Sequence, residues 1–95
     1  MITVEFFSIP KRRAGVQQTT IDANGPMPLS ELLAALATAL PDFGEGCLDD
    51  AGQLQKHYLA LLDDKRHRGD SMLLKAVTVV PNDSTVLILS ADAGG

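Results

Sequence analysis

The sequence contains no tryptophan, one tyrosine and three phenylalanines, so aliphatic side chains have to build any core it forms. It has a single cysteine, Cys47. That excludes an internal disulfide and any zinc or iron–sulfur site made of cysteines alone. Basic residues are outnumbered, at eight Lys and Arg against twelve Asp and Glu, for a formal charge of −4. A general nucleic-acid binder would carry the opposite balance. No apolar run approaches the roughly 20 residues of a membrane span, and Met1–Ile9 reads as a strand with no basic leader before it. The expectation is a cytoplasmic protein with no membrane and no nucleic acid among its partners.

What is present describes one ordinary globule. Ninety-five residues, 45% hydrophobic and 21% charged, suit a single domain with a modest core. Ile2, Val4 and Phe6 alternate with Thr3, Glu5 and Phe7 at the period of a strand. Pro10, Lys11-Arg12-Arg13 and Gly15 read as a turn. Val16–Ala23 reads as a second strand closed by Asn24-Gly25, making a hairpin with the first. Leu32, Leu33, Leu36, Ala37 and Leu40 recur at helical spacing from Leu29, and Pro41 stops the run. Asp42–Gln53, with three glycines, reads as a connecting loop holding at most one short helical turn. His57–Leu62 reads as a strand turning at Asp63-Asp64. Met72–Val80 mixes short strand and loop, and Thr85–Leu89 is a well-defined last strand.

The order ββ, helix, loop, β, short β, β implies an α+β roll, a mixed sheet of four to five strands with one main helix across a face. The division expected is a domain over 1–90 and a flexible tail over 91–95, because Ala91, Asp92, Ala93, Gly94 and Gly95 offer nothing to bury.

Two terminal glycines are weak evidence alone: at about 7% glycine per position, chance gives the pair in roughly one chain in 200. Their setting adds weight. They end a thin stalk five residues beyond an apolar strand, and glycine lets a backbone approach a nucleotide closely. The carboxylate of Gly95, with a reference pKa of about 3.3–3.7, is a poor electrophile until it is made into an acyl-adenylate. A sulfur donor then converts that adenylate into a nucleophilic thiocarboxylate.

Several other features point nowhere in particular. Cys47 lies between glycines with no motif around it. His57 and His67 lack further ligands, and Asp49-Asp50-Ala51-Gly52 lacks the alternating oxygen donors of a calcium loop. Lys11-Arg12-Arg13 and Lys65-Arg66-His67-Arg68 read as solvated loops, and Arg68-Gly69-Asp70 as a chance tripeptide.

Met1-Ile2-Thr3-Val4-Glu5-Phe6-Phe7 resembles the first strand of the small subunit of molybdopterin synthase. The helix Leu29–Leu40 falls where that family and the thiamine sulfur carriers place theirs. Thr85–Leu89, Ser90 and the tail to Gly95 resemble their last strand and ending. Asp42–Leu62 and Ser8-Ile9-Pro10 are more similar to the carrier that feeds a dedicated cysteine synthase. Three stretches depart from the pattern: Pro81-Asn82-Asp83-Ser84 replaces an Asp-Gly-Asp turn, Asp63-Asp64-Lys65 an Asn-Gly turn, and Asp92 an apolar residue.

The resemblance implies a ubiquitin-like β-grasp fold and a carrier that is a substrate, not a catalyst, although it would count as a synthase subunit beside molybdopterin synthase. Gly95, with Gly94 behind it, would be adenylated by an E1-like adenylyltransferase using ATP and magnesium. A sulfur donor system would thiocarboxylate it, and an acceptor enzyme would take the sulfur. The chain itself would bind no cofactor and no metal. The apolar residue six before the last glycine, Leu89, would contact the activating enzyme. If Val86 and Ile88 face the core, Leu87 and Leu89 face outward. Phe7 either joins their patch or covers the core from an edge, and Ala93 would enter the partner with the diglycine. Two other functions fit the same residues: a modifier conjugated to proteins through Gly95, and a β-grasp binding module with no chemistry at its end.

Overall fold

The computed structural model describes residues 1–63 and 71–91. The elements in chain order are β1 (Ile2–Phe6), α1 (Ser8–Ala14), β2 (Gln18–Ile21), β3 (Met27–Pro28), α2 (Leu29–Ala39), α3 (Pro41–Cys47), β4 (Tyr58–Asp63), β5 (Ser71–Leu73), β6 (Val79–Val80) and β7 (Thr85–Ser90). Five strands form one mixed sheet in the order β2-β1-β7-β4-β5, and β3 pairs with β6 as a separate two-stranded piece. The centre is the parallel pair β1–β7, with Val4 beside Val86 and Phe6 beside Ile88. β2 and β4 flank it antiparallel, Ile2 opposite Ile21 and Ala60 opposite Ile88. This is the α+β roll expected, with five strands in its main sheet.

Alternation builds the core. Ile2, Val4 and Phe6 of β1, Val86 and Ile88 of β7, and Ala60 and Leu62 of β4 are buried on one sheet face. Leu29, Leu32, Leu33 and Leu36 of α2 and Phe43 and Cys47 of α3 meet them. Phe6 and Phe43 pack as a tilted aromatic pair, centroids 5.2 Å apart. α2 starts without a side-chain cap; its first amides, Leu29 and Ser30, donate to the carbonyls of Thr78 and Ala76. The loop before β6 therefore satisfies donors that would otherwise be orphaned.

Two short helices replace segments read as turn and loop. The first strand ends at Phe6, not Ile9, and Pro10 with Lys11-Arg12-Arg13 lies in α1. Proline is tolerated in a first helical turn, where its missing N–H has no helical partner. Three basic residues suit the negative end of the helix dipole. Gly15, at φ 76°, closes the helix by donating its amide to the Lys11 carbonyl. The punctuation read as a turn is a helix start and stop. β1 and β2 are sheet neighbours as expected, but α1 joins them where a hairpin turn was expected. Likewise Pro41 both ends α2 and opens α3, so the Asp42–Gln53 loop begins with a full helix. β4 is shifted by one residue from the expected His57–Leu62, so Asp63 is in the strand rather than in a turn, and β7 runs one residue beyond Leu89. Among the described residues no helix is long and apolar enough to cross a membrane.

Candidate functional site

Ala93, Gly94 and Gly95 lie outside the described residues, as do Asp64 and the stretch holding Lys65-Arg66-His67-Arg68 and Arg68-Gly69-Asp70. What the structure places is the root from which the tail leaves. β7 ends at Ser90, and the amide of Ala91 donates to the His57 carbonyl at 2.7 Å, just before β4 begins. Because β1 runs parallel to β7, α1 follows β1 at this same end of the sheet. The tail thus departs between the start of β4 and the end of β1.

The sheet face opposite the helices carries the other expected positions. Val86 and Ile88 are fully buried, so Leu87 and Leu89 point the other way and are only partly buried. Phe7 is 44% exposed while Phe6 is 1% exposed. Its extended backbone (φ −130°) continues the phase of β1, and its amide donates to the Ile88 carbonyl at 3.0 Å. That puts Phe7 on the outer face beside the end of β7.

Cross-strand register extends the patch to residues that had not been singled out. Leu89 stands opposite Leu59 and Leu87 opposite Leu61, and Leu61 stands opposite Leu73 in β5. Glu5 sits on the other side of Leu87 and gives the row a polar border. Directly opposed residues of a sheet share a face with Cβ atoms about 5 Å apart, so Leu59, Leu61, Leu87 and Leu89 form one block with Leu73 and Phe7 at its flanks. Alternation in Tyr58–Asp63 contained this signal: with Ala60 and Leu62 inward, Leu59 and Leu61 had to be outward. These partly buried apolar side chains make one contiguous row on the face opposite the helices.

The remaining singled-out groups take structural places. Cys47 is fully buried in α3. Burial pushes its thiol up from the ordinary range, and the Arg13 guanidinium pulls it partly back. Such a thiol is the opposite of an activated nucleophile. The carboxylate of Asp49 accepts the amides of Ala51 and Gln53 at 2.9 and 3.0 Å, holding its own loop closed. His57 is exposed beside the tail root. Among the described residues no group of three or more His, Cys, Asp or Glu side chains is placed to hold a metal ion.

No protein-family model matches the chain, nor does any curated protein. Solved structures do. SAMP1 from Haloferax volcanii matches with a TM-score of 0.79 at 18% identity, over 99% of this chain and 98% of that one. A second structure, of H. volcanii small archaeal modifier protein 1, gives 0.75 at 17% identity, covering 93% of each. CysO of Mycobacterium tuberculosis, described as an antigen, gives 0.66 at 18% identity over 96% and 99%. Identities this low establish the fold, which is the ubiquitin-like β-grasp expected from the resemblance.

Proposed function

We propose that the chain is a ubiquitin-like sulfur carrier whose working atom is the C-terminal carboxylate of Gly95. In this reading an E1-like enzyme binds the outer patch of Phe7, Leu87 and Leu89. The carboxylate displaces pyrophosphate from ATP, with magnesium held by that enzyme, and becomes an acyl-adenylate. A sulfur nucleophile then displaces AMP to leave a thiocarboxylate. Its anionic sulfur attacks an acceptor substrate, and the carboxylate is regenerated when the sulfur is released with an oxygen taken from water. The chain supplies no acid or base; it supplies a carboxylate on a narrow stalk, carried by Ala93 and Gly94, and a surface for recognition.

The observation that carries the reading is the placement of the apolar block. Leu89 lies two residues from Ala91, so an enzyme seated on the patch is already at the mouth of the tail. The test is intact-mass measurement after incubation with ATP, magnesium, a sulfide source and the E1-like enzyme of the same organism. The expected result is the mass gain of one sulfur-for-oxygen exchange, abolished when Gly95 is deleted. An unchanged mass, or an undiminished gain without Gly95, defeats the reading. Its working place is the cytoplasm, where such biosynthetic acceptors act.

A second reading is favoured by the likeness to a small archaeal modifier protein at a TM-score of 0.75. The same adenylate can be attacked by a lysine amine, giving an isopeptide bond in place of a thiocarboxylate. Higher-mass, isopeptide-linked forms of the chain in cell lysate would identify that use.

A further inference from the structure

The cations of the described residues are unevenly placed. Apart from Lys75, every described lysine and arginine (Lys11, Arg12, Arg13 and Lys56) lies at the end of the sheet where β7 finishes. All four are exposed. The first three sit on α1 beyond β1, and Lys56 sits just ahead of β4 beside the carbonyl that holds Ala91. Since β7 runs between β1 and β4, cations stand on both sides of the tail root. Asp22, Asp63 and Asp83 lie at the opposite end, following β2, ending β4 and preceding β7. A chain with a net charge of −4 therefore gathers four of its five described cations at the end from which its tail leaves.

Acids lie near these cations on both sides, but they engage them unequally. Asp42 and Glu45 of α3 line a depression together with Arg12 and Arg13. Asp49 is engaged by its own loop amides, while Asp50 is exposed nearby in sequence. Among the described residues the one ion pair is that of the Met1 ammonium with Asp83, at the far end. Lys11 and Lys56 thus face solvent with no ion-pair partner among the described residues, and an oppositely charged partner surface would offset the desolvation that docking imposes on them.

Tail length tells which part of a partner they meet. The four residues beyond Ala91 span at most about 14 Å. A carboxylate delivered to the bottom of a channel by an extended stalk leaves the root at the rim, away from the nucleotide phosphates. We infer that Lys11 and Lys56, with Arg12 beside them, form a basic collar around the tail root that docks onto an acidic rim of the enzyme channel admitting the tail. The collar sets approach and orientation, and the apolar patch supplies most of the holding energy.

The inference rests on the carrier reading and can fail separately from it. ATP–pyrophosphate exchange by the organism's E1-like enzyme is measured with wild type, Lys11→Gln/Lys56→Gln, Lys11→Arg/Lys56→Arg, and the charge-matched control Thr20→Glu/Asn24→Asp, exposed positions on and after β2. The glutamine pair should raise KM about five-fold at low salt and less than two-fold in about 0.5 M salt, where the Debye length is only a few ångströms. The kcat should be unchanged, the arginine pair should restore KM, and the control should leave it alone. A KM rise equal to the control's, or one insensitive to salt, overturns the collar while leaving the carrier reading intact. No exchange with wild type overturns both. Salt-sensitive binding of a short DNA duplex that is lost in the glutamine pair, with KM unchanged, reassigns the cations to nucleic acid and overturns the collar.

Discussion

Replacing Gly44 and Gly46 of α3 by alanine, one at a time, should have opposite effects on stability. Both lie in a short helix, where alanine gains up to about 1 kcal/mol over glycine in intrinsic propensity. What differs is the neighbour. A Cβ on Gly44 would come 2.9 Å from the Ala37 Cβ and 3.3 Å from the Ala37 Cα of α2. Carbon pairs prefer about 3.5–4.0 Å, so α2 and α3 would have to part by something over half an ångström. Both helices are anchored in the core by Leu33, Leu36, Phe43 and Cys47, and overpacking of that kind costs about 1–3 kcal/mol. The net for Gly44→Ala is a loss of about 0.5–2 kcal/mol. The three atoms nearest a Cβ on Gly46 all belong to the Arg13 side chain, its Cδ at 2.6 Å. That long, exposed chain can swing aside, so Gly46→Ala should lie between neutral and about 0.5 kcal/mol more stable. A domain of this size shifts its Tm by about 4–8 °C per kcal/mol. The pair should therefore separate by several degrees in thermal melts and visibly in urea midpoints at equal m-value. Gly44→Ala matching or exceeding Gly46→Ala in stability would refute the close helix contact.

Leu89→Ala removes a partly buried side chain from the outer patch. It should cost the fold less than about 1 kcal/mol while raising KM for activation roughly ten-fold, since an anchoring leucine at an interface is worth about 1–2 kcal/mol; an unchanged KM would remove Leu89 from the interface. Phe43→Ala empties a fully buried site against Phe6 and should cost about 3–5 kcal/mol, read from urea unfolding. The Cys47 thiol has a folded pKa above its unfolded one. Its contribution is fully present below the unfolded value of about 8.5 and declines as pH rises through the folded value. Unfolding free energy measured from pH 8 to 10 should fall more steeply for wild type than for Cys47→Ala, and iodoacetamide at pH 8 should label Cys47 far more slowly in the folded protein than in urea.

The parts of the fold legible in the sequence were those in which one periodicity acts over a whole element. Ile2-Val4-Phe6 and Val86-Ile88 declare a buried strand face, and Leu32-Leu33-Leu36 a helix stripe, because each pattern reports the same core. α1 and α3 were not legible, since seven residues give hardly two turns of period and both contain residues that also mark turns. Pro10 lies inside the first turn of a helix that Phe7 opens and Gly15 closes on the Lys11 carbonyl; Pro41 opens another, which Gly44 lets lie against Ala37. Leu87, Leu89 and Phe7 were recognised from alternation and resemblance. Leu59, Leu61 and Leu73 were not, because only strand order and register bring them beside β7. Lys11 and Lys56 are likewise 45 positions apart in sequence and reach the same end of the sheet only through the pairing of β1 and β4 with β7.

That parallel pairing also governs how the sheet can assemble. β1 is the first strand synthesised and β7 the last, with Thr3 beside Thr85, and each is the other's neighbour at the middle of the sheet. A ribosome-bound chain short of residue 85 can form α2 locally, but it lacks the strand around which β1 and β4 would assemble. The β1–β7 pairing closes over a long sequence separation, which slows folding. The same strand that completes the sheet also holds out the tail. Under the proposed function, an activating enzyme that grips β7 and its neighbours would therefore engage only molecules in which β1, β4 and β7 are already assembled.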